Sequence, residues 1–573
     1  MITSLKRTYK LLTYRDRLKL FLLLSLMLIG AFLEMIGIGS IPAFIVLISN
    51  PVEFFETFSI LSPLADYYHK NPEGFFMIAS FSLIALFLFK NIFLSFVHYL
   101  KTKYSFKQQY LLGLRLFKAY SSAPRSFHVG RNSAEILRNV NNEVTVSINA
   151  VLMPFLNLAM DVIMIIWIFV LLFSVDPLIS FITLIGFAVG SYLFLLLTNR
   201  KLRRLGREEL SERKIRNKIV IQTMGGLKEL TIYHKVILFI NKFRKSAQRT
   251  SNAQAYKQFI TYLPKPFLEV FAISGIFVIS AIFITQGRDF ENIIPIMTLF
   301  GVAAAKSIPA IKQILQNYTL IKFNHFSVNP IYNDINELKD TENNNSNQNQ
   351  TSSKVEFNHK IEIENINFKY PEKRDYIIKN FNAEIIKGSF TIIKGSSGVG
   401  KTTLLDIISG IIKPIQGQIM VDGKNINNNL LAWQEKISYV PQNIFLFDDS
   451  LINNVTLGME KGEINLEQFH KAIALAQLDD IISDLPEGID TFIGEQGVRL
   501  SGGQRQRIGI ARAIYHQPEL LILDEATSEV DRSTERKILE EISARLELTM
   551  IFIGHKHETL RNVENIKEIN LVN

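Results

Sequence analysis

"SFTIIKGSSGVGKTTLLDIISG", Ser389–Gly410, opens as an apolar run, passes through a glycine loop and ends as a helix closed by Gly410. The loop fits G-x-x-x-x-G-K-[ST], with Gly395, Gly400, Lys401 and Thr402 in register. Strand, glycine loop and helix in that order make a phosphate cradle, because the glycines let backbone N–H groups face an anion. Lys401 is placed to reach the β- and γ-phosphates of ATP, and the Thr402 hydroxyl to coordinate Mg2+. The candidate ATP-binding run is Gly395, Ser396, Ser397, Gly398, Val399, Gly400, Lys401, Thr402 and Thr403.

Three later stretches extend this chemistry. "LLILDEAT", Leu520–Thr527, is an apolar strand ending in two carboxylates. Asp524 is placed to hold Mg2+ through its hydration shell and Glu525 to polarise the attacking water. "VRLSGGQRQR", Val498–Arg507, puts Ser501, Gly502 and Gly503 at a helix N-terminus, a second seat for an anion. "TMIFIG", Thr549–Gly554, is a strand that delivers His555 to its C-terminal end, within reach of a γ-phosphate; His557 lacks that register and is read as solvated.

The chain has 573 residues and no cysteine, which excludes disulfides and thiolate metal sites. Its mean hydropathy of +0.16 conceals a division. The last part reads as an ordinary soluble α/β domain, whereas the first part carries six apolar runs long enough to span a bilayer. They lie near Leu18–Ala43, Phe75–Val97, Leu152–Phe173, Leu178–Leu197, Phe267–Thr285 and Ile293–Leu315. The first run exceeds a signal-peptide core and is read as a retained helix. Lys and Arg clusters follow the second and fourth runs, so both termini and both long loops are expected in the cytoplasm. The net charge of +10 tracks these membrane edges, which argues against nucleic acid as a partner. "LKDTENNNSNQNQTSSK", Leu338–Lys354, reads as a polar linker. The expected domains are therefore 1–337 in the membrane, 338–354 as linker and 355–573 for ATP.

From about Val355 to Asn573 the sequence resembles the nucleotide-binding domain of ABC transporters. "LSGGQ", Leu500–Gln504, is the most specific motif of that resemblance. It implies that Tyr370 in "NFKYPEK" stacks on adenine and that Gln442 in "SYVPQNIFLF" takes part in catalysis and contacts Mg2+. It also implies that Asp531 in "SEVD" and Ser501, Gly502, Gly503 and Gln504 contribute to ATP binding, and that His555 is the switch histidine. The resemblance further implies a homodimer in which each ATP lies between the loop Gly395–Thr403 of one chain and LSGGQ of the other. Glu529 departs from the usual small residue of "SEVD". It either affects closure of such a dimer or faces solvent.

Six spans, a linker and one ATPase resemble a half-size ABC exporter. The expected fold is a membrane-embedded, all-α, six-helix transmembrane domain plus a cytosolic α/β P-loop nucleotide-binding domain. Helical extensions are expected over the loops Lys101–Asn149 and Asn199–Thr261, with "SFHVGRNSAEILRNVNNEV" and "IQTMGGLKELTIYHK" as their coupling segments. Inside the membrane, Lys90, Lys265 and Lys306 either line a cationic cavity for an anionic headgroup or form salt bridges with Glu34, Asp161 and Glu269. "LEMIGIGSIPAF", Leu33–Phe44, and "LPKPFLE", Leu263–Glu269, resemble bacterial flippases of lipid-linked oligosaccharides. Val52–Lys70 reads as an external amphipathic helix or an ordered loop.

The expectation is an ATP-driven, multi-pass flippase of the bacterial inner membrane, using ATP and Mg2+, contacting membrane lipids and carrying a pyrophosphate-linked glycolipid. The alternatives are a general lipid or multidrug ABC exporter, and an ATP-gated channel or nucleotide sensor. The absence of an N-terminal extension disfavours a peptide exporter.

Overall fold

The computed structural model describes residues 2–571 except 50, 58–62, 130, 132, 267, 271–273, 276, 278–289, 347–354, 371–372, 461, 495–499, 546–547 and 555–565. The chain divides into two compact units. The first holds Met1–Ala123 and Gly130–Lys339; the second holds Pro124–Val129 and Asp340–Asn573.

The first unit is helical. Its main helices are α1 (Tyr14–Ser49), α2 (Pro72–Ser121), α3 (Met153–Val175), α4 (Pro177–Gly225), α5 (Val236–Tyr262), α6 (Phe290–Asn324) and α7 (Val328–Ser346). Among the described residues, four helical stretches are long and apolar enough to cross a membrane: Tyr14–Ser49, Pro72–Ser121, Ser133–Val175 and Pro177–Gly225. Phe81, Ile84, Leu88, Phe89 and Ile92 of α2 are exposed. Apolar side chains left outside the protein core in this way suit a lipid surroundings rather than water. The sixth expected span lies inside α6, whereas most of the fifth, Phe267–Thr285, lies outside the described residues. Helix starts follow local chemistry. Asn71 caps α2 by accepting from Gly74 N, and Asp176 caps α4 by accepting from Ile179 N, each with proline in the first turn.

The two long loops are helical extensions of the spans. Helix α2 runs past Lys101 to Ser121, and α4 runs past Asn199 to Gly225, where Leu227–Ile232 forms a short helix before α5. Several charged groups buried between these helices are paired. Arg213 Nη2 lies 2.8 Å from Glu209 Oε2, and its Nη1 lies 3.2 Å from Glu143 Oε1. Asp334 of α7 accepts from Tyr120 and Arg131, each at 2.5 Å. Between the first two spans, Val52–Lys70 contributes helices Pro51–Thr57 and Ala65–Lys70, with 58–62 outside the described residues. Phe55 packs 5.8 Å from both Tyr68 and Phe75, which ties this segment to the start of α2. Helix α7 continues to Ser346, so the first residues of the Asn-rich stretch are helical.

The second unit is α/β. Its strands are β1 (Lys360–Phe368), β2 (Ile378–Ile386), β3 (Phe390–Lys394), β4 (Gln416–Val421), β5 (Lys424–Asn425), β6 (Ile437–Val440), β7 (Leu520–Asp524), β8 (Thr549–Ile553) and β9 (Ile566–Asn570). A four-stranded antiparallel sheet runs β2-β1-β4-β5, and a five-stranded parallel sheet runs β6-β7-β8-β3-β9. Strands β7 and β8 are buried at every position, as expected for the middle of a parallel sheet covered on both faces. Because β3, β7 and β8 are parallel, their C-terminal ends share one edge, where open α/β sheets bind ligands. That edge carries the glycine loop after β3, Asp524 and Glu525 at the end of β7, and Gly554 after β8.

Candidate functional site

The glycine loop joins β3 to helix α8 (Lys401–Ile408), and Gly398 and Gly400 adopt φ values of +81° and +110°. Side chains at such angles are strained, so these two glycines are required by the turn itself. A Cβ on Gly395 would lie 2.8 Å from Val399 Cγ1 and 2.9 Å from Leu571 O, so the loop also fits closely beneath. Lys401 Nζ donates to Gly395 O at 3.0 Å and Ser396 O at 3.1 Å, folding the ammonium over the loop. A γ-phosphate would meet that ammonium together with the N–H groups at the start of α8.

Asp524 is buried, and burial pushes its carboxyl up, opposed by hydrogen bonds from Thr402 and Tyr439. Tyr439 Oη donates to Asp524 Oδ2 at 3.0 Å. Thr402 and Asp524 thus already meet, and both offer hard oxygen donors of the kind that Mg2+ takes. Gln442 Nε2 donates to Glu525 Oε2 at 2.6 Å. Glu525 has φ +51°, an uncommon conformation for a side chain of its size, and its N–H donates to Ile553 O at 2.9 Å. The end of β8 therefore holds the backbone that aims this carboxylate.

Tyr370 packs edge-on to Phe368 with ring centroids 5.1 Å apart, and its hydroxyl lies 3.3 Å from Thr403 Oγ1. The ring stands beside the glycine-loop helix. Helix α9 (Gly502–Tyr515) begins with a capping box: Ser501 Oγ accepts from Gln504 N, and Gln504 Oε1 accepts from Ser501 N. The N–H groups of Gly502 and Gly503, which precede the helical ladder, are the ones left for an anion. Asp531 Oδ1 accepts from Thr534 N at 3.0 Å and from Ser533 Oγ at 2.5 Å, and these bonds hold its carboxyl below the usual range. Asp531 therefore caps helix α10 (Arg532–Arg545). His555 and His557 lie outside the described residues.

One relationship was not legible in the sequence, and a second stood there as one of two alternatives. Asp406 of α8 is buried, and its Oδ1 accepts from Arg125 Nη1 at 2.6 Å; Arg125 lies on the short helix Arg125–Val129, which belongs to the second unit. A lone carboxylate within the apolar run "LLDIIS" was the available signal. In the first unit, Glu34 of α1 lies 3.0 Å from Lys90 Nζ of α2 and 2.8 Å from Lys306 Nζ of α6. Lys90 is 2% exposed and Lys306 48%. A Cβ on Gly37 would lie 3.0 Å from Lys90 Nζ, so this glycine makes room for the buried amine. Lys265 pairs separately with Glu269, one turn on, at 3.8 Å. Of the three lysines, the structure thus brings Lys90 and Lys306 together through one carboxylate.

Residues 378–528 match the family described as ABC transporter, and residues 27–304 match the ABC transporter transmembrane region. An "ATP-dependent lipid A-core flippase" of Cupriavidus pinatubonensis is 27% identical over 79% of this chain and 76% of that protein. "Multidrug resistance protein 1" of Entamoeba histolytica is 37% identical over 36% of this chain and 16% of that protein. An ATP-bound bacterial Atm1-family ABC exporter has the same fold, with a TM-score of 0.74 and 18% identity over 98% of this chain and 95% of the other. With a transmembrane region and an ATPase domain matched in order along its length, the chain belongs to the ABC transporters, whose ATP hydrolysis is coupled to transport.

Proposed function

We propose that two copies of this chain pair head to tail and use ATP to flip an anionic, pyrophosphate-linked glycolipid across the bacterial inner membrane. The observation that carries the reading of the cargo is the Glu34, Lys90 and Lys306 cluster. One carboxylate faces two ammonium groups, which leaves a net positive charge, and Lys306 is its half-exposed member. A charge held inside a membrane domain is costly and marks a functional path.

In the nucleotide site, Lys401 and the glycine-loop N–H groups hold the ATP phosphates of their own chain. Ser501, Gly502 and Gly503 of the other chain close over the same nucleotide, and Tyr370 stacks on its adenine. Thr402, Gln442 and Asp524 would hold Mg2+. When bound, the ion neutralises charge on the transferred phosphoryl group. Glu525 orients the attacking water and accepts its proton at the carboxylate, while Gln442 fixes the position of that carboxylate. His555 is assigned to the γ-phosphate.

A second reading, a general lipid or multidrug exporter, is favoured by the burial of Lys90 against Glu34, which removes one cation from the cargo path. ATPase stimulation in nanodiscs separates the two. A polyprenyl pyrophosphate glycan should stimulate turnover, and Lys306→Gln should weaken that response. Equal stimulation by a neutral glycolipid, unaffected by Lys306→Gln, would favour the general exporter.

A further inference from the structure

Glu529 lies against the start of α9. A Cβ on Gly502 would collide with Glu529 Oε2 and sit 2.6 Å from its Cδ, so the carboxylate covers the first helical residue. A Cβ on Gly503 would lie 2.8 Å from Glu529 O. The backbone that carries this side chain is fixed. Glu529 N donates to Gln506 Oε1 at 2.8 Å, Gln506 Nε2 donates to Ser528 Oγ at 3.0 Å, and Gln506 is 3% exposed. Val530, next along the chain, is buried. Glu529 as a whole is exposed.

Two requirements now meet at one place. The N–H groups of Gly502 and Gly503 and the positive end of the α9 dipole form the seat for a phosphate. A carboxylate is the chain's own anion of similar chemistry, and Glu529 presents one across the first of those residues. We infer that Glu529 competes with the terminal phosphate of ATP for the LSGGQ turn, and so sets how much ATP is needed to close the paired domains. This inference rests on the head-to-tail reading of the ATP sites. It assigns Glu529 a positioning role: it touches the turn that receives the nucleotide and takes no part in bond breaking. When ATP arrives on the opposing glycine loop, the carboxylate must swing off Gly502. Its exposure leaves room for that movement, while the Gln506 bonds keep the backbone in place.

The experiment measures steady-state ATPase against ATP concentration for the full chain in nanodiscs, for wild type, Glu529→Gln and Glu529→Ala, at two salt concentrations. Glu529→Gln keeps the size and removes the charge. Both variants should lower KM for ATP, by about two- to fivefold, the range for an exposed charge interaction. Salt screens exposed charges, so raising it should lower the wild-type KM more than that of either variant. A role limited to packing or helix capping would change thermal stability and leave KM and its salt dependence as in wild type. An unchanged or higher KM in Glu529→Gln overturns the inference. Mixing Lys401→Ala with Ser501→Arg chains tests the shared-site reading separately. If activity returns in that mixture and Glu529→Gln still has the wild-type KM, only the role of Glu529 falls.

Discussion

Gln442 Nε2 and Glu525 Oε2 share a hydrogen bond of 2.6 Å, so the second residue past the β6 strand holds the carboxylate at the end of β7. The carboxylate is aimed twice, by this side chain and by its own N–H bond to Ile553. Glu525→Gln keeps the shape and removes the charge. ATP should still bind, while turnover falls by about 10²-fold or more, the range for a lost general base. Nucleotide binding and phosphate release, measured on the same preparation, check this. Near-wild-type turnover would remove Glu525 from the reaction.

The pairing of chains is tested by complementation. Lys401→Ala and Ser501→Arg each inactivate both sites of their own homodimer. A mixed dimer gathers both lesions in one site and leaves the other whole. Part of the ATPase activity should therefore return on mixing and co-reconstitution. Loops serving their own chain would leave every site broken and the mixture inactive.

Much of the nucleotide site is written in local sequence, because its geometry is local. The glycine loop needs Gly398 and Gly400 at positive φ, and Ser501 and Gln504 cap their own helix within four residues of chain. The relationship that was missed, and the one the sequence left open between a cavity and salt bridges, both join distant residues. Arg125 and Asp406 lie 281 positions apart, and Glu34 meets lysines on two other helices. Neither motif nor periodicity carries such pairings. Asp531 matches a motif by position, and the structure adds that its carboxylate caps the following helix, a local contact again.

Asp406 makes a pH prediction. Burial pushes its carboxyl from 3.8 to about 6, with Arg125 pulling it back and Asp524 adding to the rise. A raised acid binds more protons folded than unfolded in that window, so its contribution to stability is lost as pH rises from about 4 to 6. Asp406→Asn should remove this component, so the gap between its melting temperature and that of wild type should change between pH 4 and 6 and stay constant above 7. Parallel profiles throughout would contradict the assignment.

Lys90 and Lys306 share Glu34 but differ in burial, and their variants should differ accordingly. Lys90→Gln removes the 2%-exposed partner and should cost stability on the order of 3 kcal/mol, the scale for breaking a buried pair. Lys306→Gln removes the 48%-exposed partner and should cost markedly less. Melting of the detergent-solubilised chain compares them. Equal losses would mean that the two amines are equally structural.

Arg125→Ala addresses the helix that runs in sequence between α2 and the rest of the first unit while belonging to the second. Basal ATPase should persist, and the extra turnover elicited by the transported lipid should shrink. Loss of basal turnover as well would make the Arg125–Asp406 pair a support of the nucleotide site.

The most direct measurement of the central claim is ATP-dependent movement of a polyprenyl pyrophosphate glycan between leaflets of proteoliposomes containing this chain alone. The account predicts translocation that requires ATP, disappears in Glu525→Gln and slows in Lys306→Gln. Translocation no faster than with Glu525→Gln, from a preparation whose ATPase is active, would contradict it.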